Sequence, residues 1–172
     1  MMKSDFETVF PILTGLEIFK DFKDSENGKR IMKMVYDALE RKDFSEGETI
    51  MREGENGDSF YILRKGRVKV SRRTPSGDSI ALSELDDTMH VFFGEASLVG
   101  NDKRTSTVVA ATDCRTLKIS GKAFMEICER EPILGFRTFH CIALRMKKSI
   151  EKANSDIDTL YGALFKEIEG SN

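Results

Sequence analysis

The stretch Gly57-Asp58-Ser59-Phe60-Tyr61-Ile62-Leu63-Arg64-Lys65-Gly66-Arg67-Val68-Lys69-Val70 decides the class of fold. Phe60 to Leu63 is a short apolar run, Gly66 interrupts it, and Val68-Lys69-Val70 alternates apolar with charged residues at the two-residue period of a strand. Working outward, Ile80-Ala81-Leu82, Thr107-Val108-Val109-Ala110 and Thr116-Leu117-Lys118-Ile119 are further strand candidates, punctuated by Gly47, Gly54, Gly57, Gly77, Gly94 and Gly100. Pro75-Ser76-Gly77-Asp78 supplies a turn between two of them. Many short strands at roughly 8–12-residue spacing predict a sandwich or barrel.

Helix flanks this β region on both sides. Residues 6 to 42 read as mostly helical: Ile31, Met34, Val35, Ala38 and Leu39 have three-four spacing, and Asn27-Gly28 reads as a turn between two short helices. After Gly121, Ala123 to Arg130 forms a short helix, and Pro132 suits the first turn of a second one running to about Ile168. At 1.5 Å per residue that helix is on the order of 55 Å long, too long for a body with a radius of gyration of ~16 Å to cover. Met146, Ile150, Ala153, Ile157, Leu160 and Leu164 are spaced four, three, four, three, four, an a/d seam that predicts a homodimer. The plainer alternative is a stripe packed on its own domain. Gly135 and Gly162 each weaken the helix by ~1 kcal/mol relative to alanine. The expected division is 1–43, 44–121 and 122–172, within one structural domain.

Composition narrows the function. Of 172 residues, 40% are hydrophobic and 33% charged, and 27 Lys+Arg against 29 Asp+Glu leave a net charge of -2, which makes no electrostatic case for nucleic acid. The basic stretch Arg64, Lys65, Arg67, Lys69, Arg72 and Arg73 reads as the wet face of a hairpin. Cys114, Cys128 and Cys141 are odd in number and well spaced, as expected of reduced thiols in a cytoplasmic protein. The apolar runs are too short to span a membrane. His90 and His140 stand far apart with no zinc-type spacing, so no metal is expected. Neither a Walker loop, a dinucleotide G-x-G-x-x-G nor a Gly-x-Ser-x-Gly elbow occurs, and Ser149-Ile-Glu-Lys152 matches a hydrolase string without its companion motifs. Catalysis is not expected.

One segment carries chemistry: Phe93-Gly94-Glu95-Ala96-Ser97-Leu98, followed by Lys103-Arg104-Thr105-Ser106-Thr107-Val108. A glycine followed by a short helical turn leaves backbone N–H groups pointing outward, which makes an anion nest. Arg104 offers a planar fork for two phosphate oxygens, and Thr105 and Ser106 add hydroxyls. Glu95, an acceptor when ionised, suits a sugar hydroxyl. Phosphate plus ribose means a nucleotide.

Together with Phe44-Ser-Glu-Gly47-Glu48-Thr-Ile50 and Gly54-Glu-Asn-Gly57-Asp58 through Val70, this cassette resembles the cyclic nucleotide-binding domain shared by catabolite activator protein, protein kinase A regulatory subunits and cyclic-nucleotide-gated channels. The resemblance implies a mixed, mainly β fold: a β jelly roll (double-stranded β-helix) flanked by N-terminal helices and a long C-terminal dimerisation helix. It implies a ligand, cyclic AMP or cyclic GMP, and no further cofactor. By the same likeness Gly94, Glu95, Ala96 and Ser97 face the cyclic phosphate with backbone N–H groups, and the Glu95 side chain accepts from the ribose 2′-hydroxyl. Arg104 pairs with the phosphate, Thr105 contacts phosphate or base, and Phe93 and Ser106 flank them. Val68, Val70, Ile80 and Leu82 would line the base side, some of them turning to the general core instead. Ser149 would reach the base from the long helix, or else face solvent. A hydroxyl at Thr105 is compatible with either base. One departure is the loop Asp86-Asp87-Thr88-Met89-His90-Val91-Phe92, which is longer than usual and lacks the family's glycine. The activator's DNA-binding domain has no counterpart expected in the few residues after Ile168. The rival to a nucleotide sensor is a ligand-free homodimeric scaffold of the same fold.

Overall fold

Strand β3 (Ser59–Lys65) is buried along most of its length, which is why its sequence is nearly continuous in apolar residues rather than alternating. It lies inside a four-stranded antiparallel sheet of order β1-β8-β3-β6, with β1 (Glu40–Phe44), β6 (Phe92–Phe93) and β8 (Cys114–Ser120). The second sheet, of order β2-β7-β4-β5, is made by β2 (Thr49–Met51), β4 (Arg67–Arg73), β5 (Ser79–Asp86) and β7 (Thr107–Ala110). The two form a jelly roll. This computed structural model describes residues 5–100 and 103–169, apart from the side chains of Ser97, Glu167 and Glu169.

The chain crosses from β3 to β4 at Gly66, whose φ is +102° and whose absent Cβ would sit 2.5 Å from the Asp113 carbonyl oxygen, so only glycine fits. Between the sheets Ile50, Met51, Leu63, Val68, Phe93, Val108, Ala110 and Cys114 make one buried cluster. The 75–78 turn forms as expected, with Gly77 at φ +95°.

Helices α1 (Asp5–Gly15) and α2 (Glu26–Asp37) precede the roll, joined through a 3-10 turn at Lys20–Phe22. Two expectations change here. Helix ends at Asp37, and residues 40–44 form β1, held by its pairing with β8 although its own sequence is charged and exposed. Asn27 and Gly28 are not a turn but the first turn of α2, which Ser25 caps by accepting from the Gly28 N–H. Gly28 is required for close approach: a Cβ there would lie 2.2 Å from the Phe22 carbonyl oxygen.

Helix α3 (Gly121–Arg130), capped by Ser120, is followed by α4 (Pro132–Glu169). The chain divides into two compact units, Met1–Arg137 and Thr138–Asn172. In the first, Phe124 of α3 meets Phe19 and Phe60, with ring centroids 6.1 and 5.2 Å apart, and Phe60 also meets Phe92 at 6.3 Å. The second unit is the body of α4, on which Met146, Ile150, Ala153, Ile157, Leu160 and Leu164 are all exposed.

All three cysteines are free and buried. Burial pushes the Cys128 thiol up to about 11, so its thiolate is scarce at neutral pH. At pH 8 the native protein should therefore react with an aromatic disulfide reagent far more slowly than the denatured chain, which titrates three thiols. Fast release from Cys128 in native protein would contradict its enclosure.

Candidate functional site

Gly94, at φ +85°, caps the 3-10 turn Glu95–Leu98 in a left-handed conformation that ordinary side chains rarely adopt. Ten residues on, Arg104 is only 9% exposed, and its Nη1 donates to the Gly94 carbonyl oxygen at 3.1 Å. The arginine's backbone is clamped as well: its N–H donates to the Glu55 carbonyl, and its own carbonyl accepts from the Gly54 N–H, both at 2.9 Å. The guanidinium lies directly over Gly57, where a Cβ would fall 2.0 Å from Arg104 Nε. At Gly94 a Cβ would fall 2.9 Å from Nη1. Two glycines thus make the slot in which this cation is held.

Beside it a cavity of about 180 Å³ is lined in part by Met51, Asp58, Ser59, Tyr61, Arg104 and Lys118. The Ser59 hydroxyl donates to Asp58 Oδ1 at 2.6 Å and holds that carboxyl below the usual carboxylate range, with Lys118 and Arg104 adding smaller electrostatic pulls. Burial pushes the Tyr61 phenol up, so it stays a neutral donor.

The remaining expected residues divide. Phe93 is buried, belongs to the central cluster and stacks on Tyr61 with centroids 5.6 Å apart. Glu95 and Ser106 are half-buried, while Ala96 and Thr105 are exposed beside the slot's two segments. The Ser97 backbone lies in the 3-10 turn, and its side chain is outside the described residues. Val68 is fully enclosed in the core cluster, so it takes the core-facing alternative, and Val70 packs partly buried against the same cluster. Ile80 and Leu82, both about half exposed, sit two residues apart on β5. Ser149 is exposed on α4. The sequence reading left out Gly57, Asp58, Tyr61 and Met51 as site residues. The signal for the first two was present, since Gly54-Glu-Asn-Gly57-Asp58 is the segment that grips Arg104.

A family model, described as the cyclic nucleotide-binding domain, matches residues 41–131, more than half of the chain. The chain belongs to the cyclic nucleotide-binding domain family. As a member it is 36% identical over 95 residues to a cAMP-dependent protein kinase regulatory subunit of Dictyostelium discoideum, covering 54% of this chain and 28% of that one. It is 36% identical over 93 residues to human cGMP-dependent protein kinase 2, covering 52% of this chain and 12% of that one. The chain thus spans only a minor part of these relatives' length. In fold, this cyclic nucleotide-binding domain resembles the sensor domain of the transcriptional regulator DNR from Pseudomonas aeruginosa, with a TM-score of 0.70 and 20% identity over 85% of this chain and 93% of that one. Among the described residues, no cluster of three or more His, Cys, Asp or Glu could hold a metal ion, and no helix is long and apolar enough to cross a membrane.

Proposed function

We propose that this domain is a non-catalytic sensor that binds a cyclic nucleotide, cyclic AMP or cyclic GMP, and reports it through its C-terminal helical segment. The observation that carries the reading is Arg104, a nearly buried cation fixed between Gly57 and the left-handed Gly94 that opens the 3-10 turn Glu95–Leu98. A cyclic phosphate fits a guanidinium held in place beforehand, because no side-chain ordering opposes binding. Gly94 to Ser97 would supply N–H donors to the phosphate, Glu95 would accept from the ribose hydroxyl, and Thr105 and Ser106 would add hydroxyls. Ile80 and Leu82, exposed on β5, are the apolar pair available to a base. Relatives named for cAMP and for cGMP both match, so the base is an outcome of the test. The ligand shifts the C-terminal segment from Ala123 onward only through its differential affinity for two states of the protein.

The direct check is a thermal melt with each nucleotide. Ligand at about 100 times its dissociation constant adds ~2.7 kcal/mol to the folded state, a shift of roughly 5–10 °C for a chain of this size. No shift with either would leave the scaffold reading in possession of the fold.

The output surface we assign is the α4 seam, with a second copy of the chain as partner. Isoleucine at the 150 and 157 positions with Leu160 in the alternate position is the pattern that favours two parallel strands. Sedimentation should give a dimer for the parent and a monomer for Ile157→Glu/Leu160→Glu. A monomeric parent at tens of micromolar would remove the seam from the account.

A further inference from the structure

Among the described residues His90 alone combines a side chain with a positive φ, at φ 47° and ψ 64°. It closes the 3-10 turn Asp87–Met89, which is pinned at both ends: Asp86 accepts from the Thr88 N–H, and Asp87 Oδ2 accepts from the Gly66 N–H at 2.9 Å. The next residue, Val91, accepts at its carbonyl from the Leu63 N–H at 3.1 Å. Phe92 and Phe93 then pair with Ile62 and Tyr61, and Gly94 follows. His90 therefore sits at the head of the segment that delivers the cassette.

Glycine would adopt this backbone without steric cost, whereas an imidazole persists there only when something holds it. Its ring lies against Gly15, the last residue of α1. A Cβ on Gly15 would lie 2.8 Å from His90 Nδ1 and 2.9 Å from Cγ, so the ring occupies the space a side chain would take. Gly15 is not in the left-handed region, so its backbone does not require glycine; the close approach does. Helix α1 is a firm support, since Val9 and Leu13 are fully buried.

We propose that the His90 ring seated on Gly15 is a positioning strut that fixes the 91–98 segment against the end of α1 and thereby sets the affinity of the cassette for its ligand. The positioning half stands on geometry alone; the affinity half rests on the nucleotide reading above.

The test uses Gly15→Ala, His90→Gly and the double variant. The first readout is amide exchange at Leu63 and residues 91–98 with no nucleotide present. Each single variant should speed that exchange about threefold or more, and the double variant should be no faster than His90→Gly alone, because the added methyl then meets no ring. Exchange equal to the parent in Gly15→Ala, or effects that simply multiply in the double variant, would overturn the strut. The second readout is titration with cyclic AMP and cyclic GMP. Each single variant should bind about threefold or more weakly while melting within about 2 °C of the parent. Variants that bind as tightly as the parent would overturn the affinity half. A parent that binds neither nucleotide would instead contradict the proposed function and the affinity half with it, while the exchange result still decides the positioning half.

Discussion

Arg104→Ala weakens binding of cyclic nucleotide by at least about tenfold, because a charge-assisted contact to a phosphate contributes about 1.5–3 kcal/mol. The magnitude follows from how the arginine is held. The residue is nine-tenths buried, and its guanidinium rests on Gly57 and donates to the Gly94 carbonyl, so its position is set before the phosphate arrives. The same contact ties Arg104 to the fold, and the alanine variant is accompanied by two others. Arg104→Lys keeps the charge but loses the planar fork, and its affinity should fall between those of parent and alanine variant. Gly57→Ala leaves the charge intact but places a methyl 2.0 Å from Nε, forcing the guanidinium out of its slot, and should also weaken binding. Titration of all three against the parent checks the assignment. If Arg104→Ala binds as tightly as the parent, the phosphate does not reach this arginine.

Phe60→Ala lowers stability by about 3–5 kcal/mol, the range for emptying a large aromatic site in a core that collapses only partly. In a chain of this size that is a fall in melting temperature of roughly 6–20 °C. Phe60 is fully buried on β3, packs edge-on against Phe124 of α3, with rings 87° apart, and meets Phe92 of β6 at 68°. It is the joint between the sheet, the helix that follows the roll and the strand that leads into the cassette. Phe60→Leu keeps most of the volume and should lose much less. A calorimetric melt of both variants decides; a drop of under about 3 °C for the alanine variant would mean that this joint is not central to the fold.

What the sequence showed, it showed where a local pattern and the tertiary environment agree. The strands at 60–63, 68–70, 80–82, 107–110 and 116–119 lie within β3, β4, β5, β7 and β8, because burial on one or both faces writes itself into residue type. Strand β1 was missed because it reads Glu-Arg-Lys-Asp-Phe; its conformation comes from five successive pairs with β8 rather than from its own side chains. Strands β2 and β6, three and two residues long, are too short to show a period. Asn27-Gly28 misled because the usual turn meaning of glycine was assumed, whereas Gly28 serves helix packing against Phe22. In the site, Gly94 and Arg104 were legible as a motif in one segment. Gly57 belongs to a different loop, and only folding brings its bare Cα under the guanidinium. The 86–92 loop was legible only as lacking a glycine; that His90 takes the left-handed position in it, and that Gly15 receives its ring, depends on where α1 ends in space.

The central claim is that this slot takes a cyclic nucleotide, and isothermal titration of the purified protein with cyclic AMP, cyclic GMP and 5′-AMP tests it most directly. The account predicts saturable heat with at least one cyclic nucleotide and none with 5′-AMP, the stronger cyclic ligand naming the base. No heat with either cyclic nucleotide, or equal binding of 5′-AMP, would contradict it.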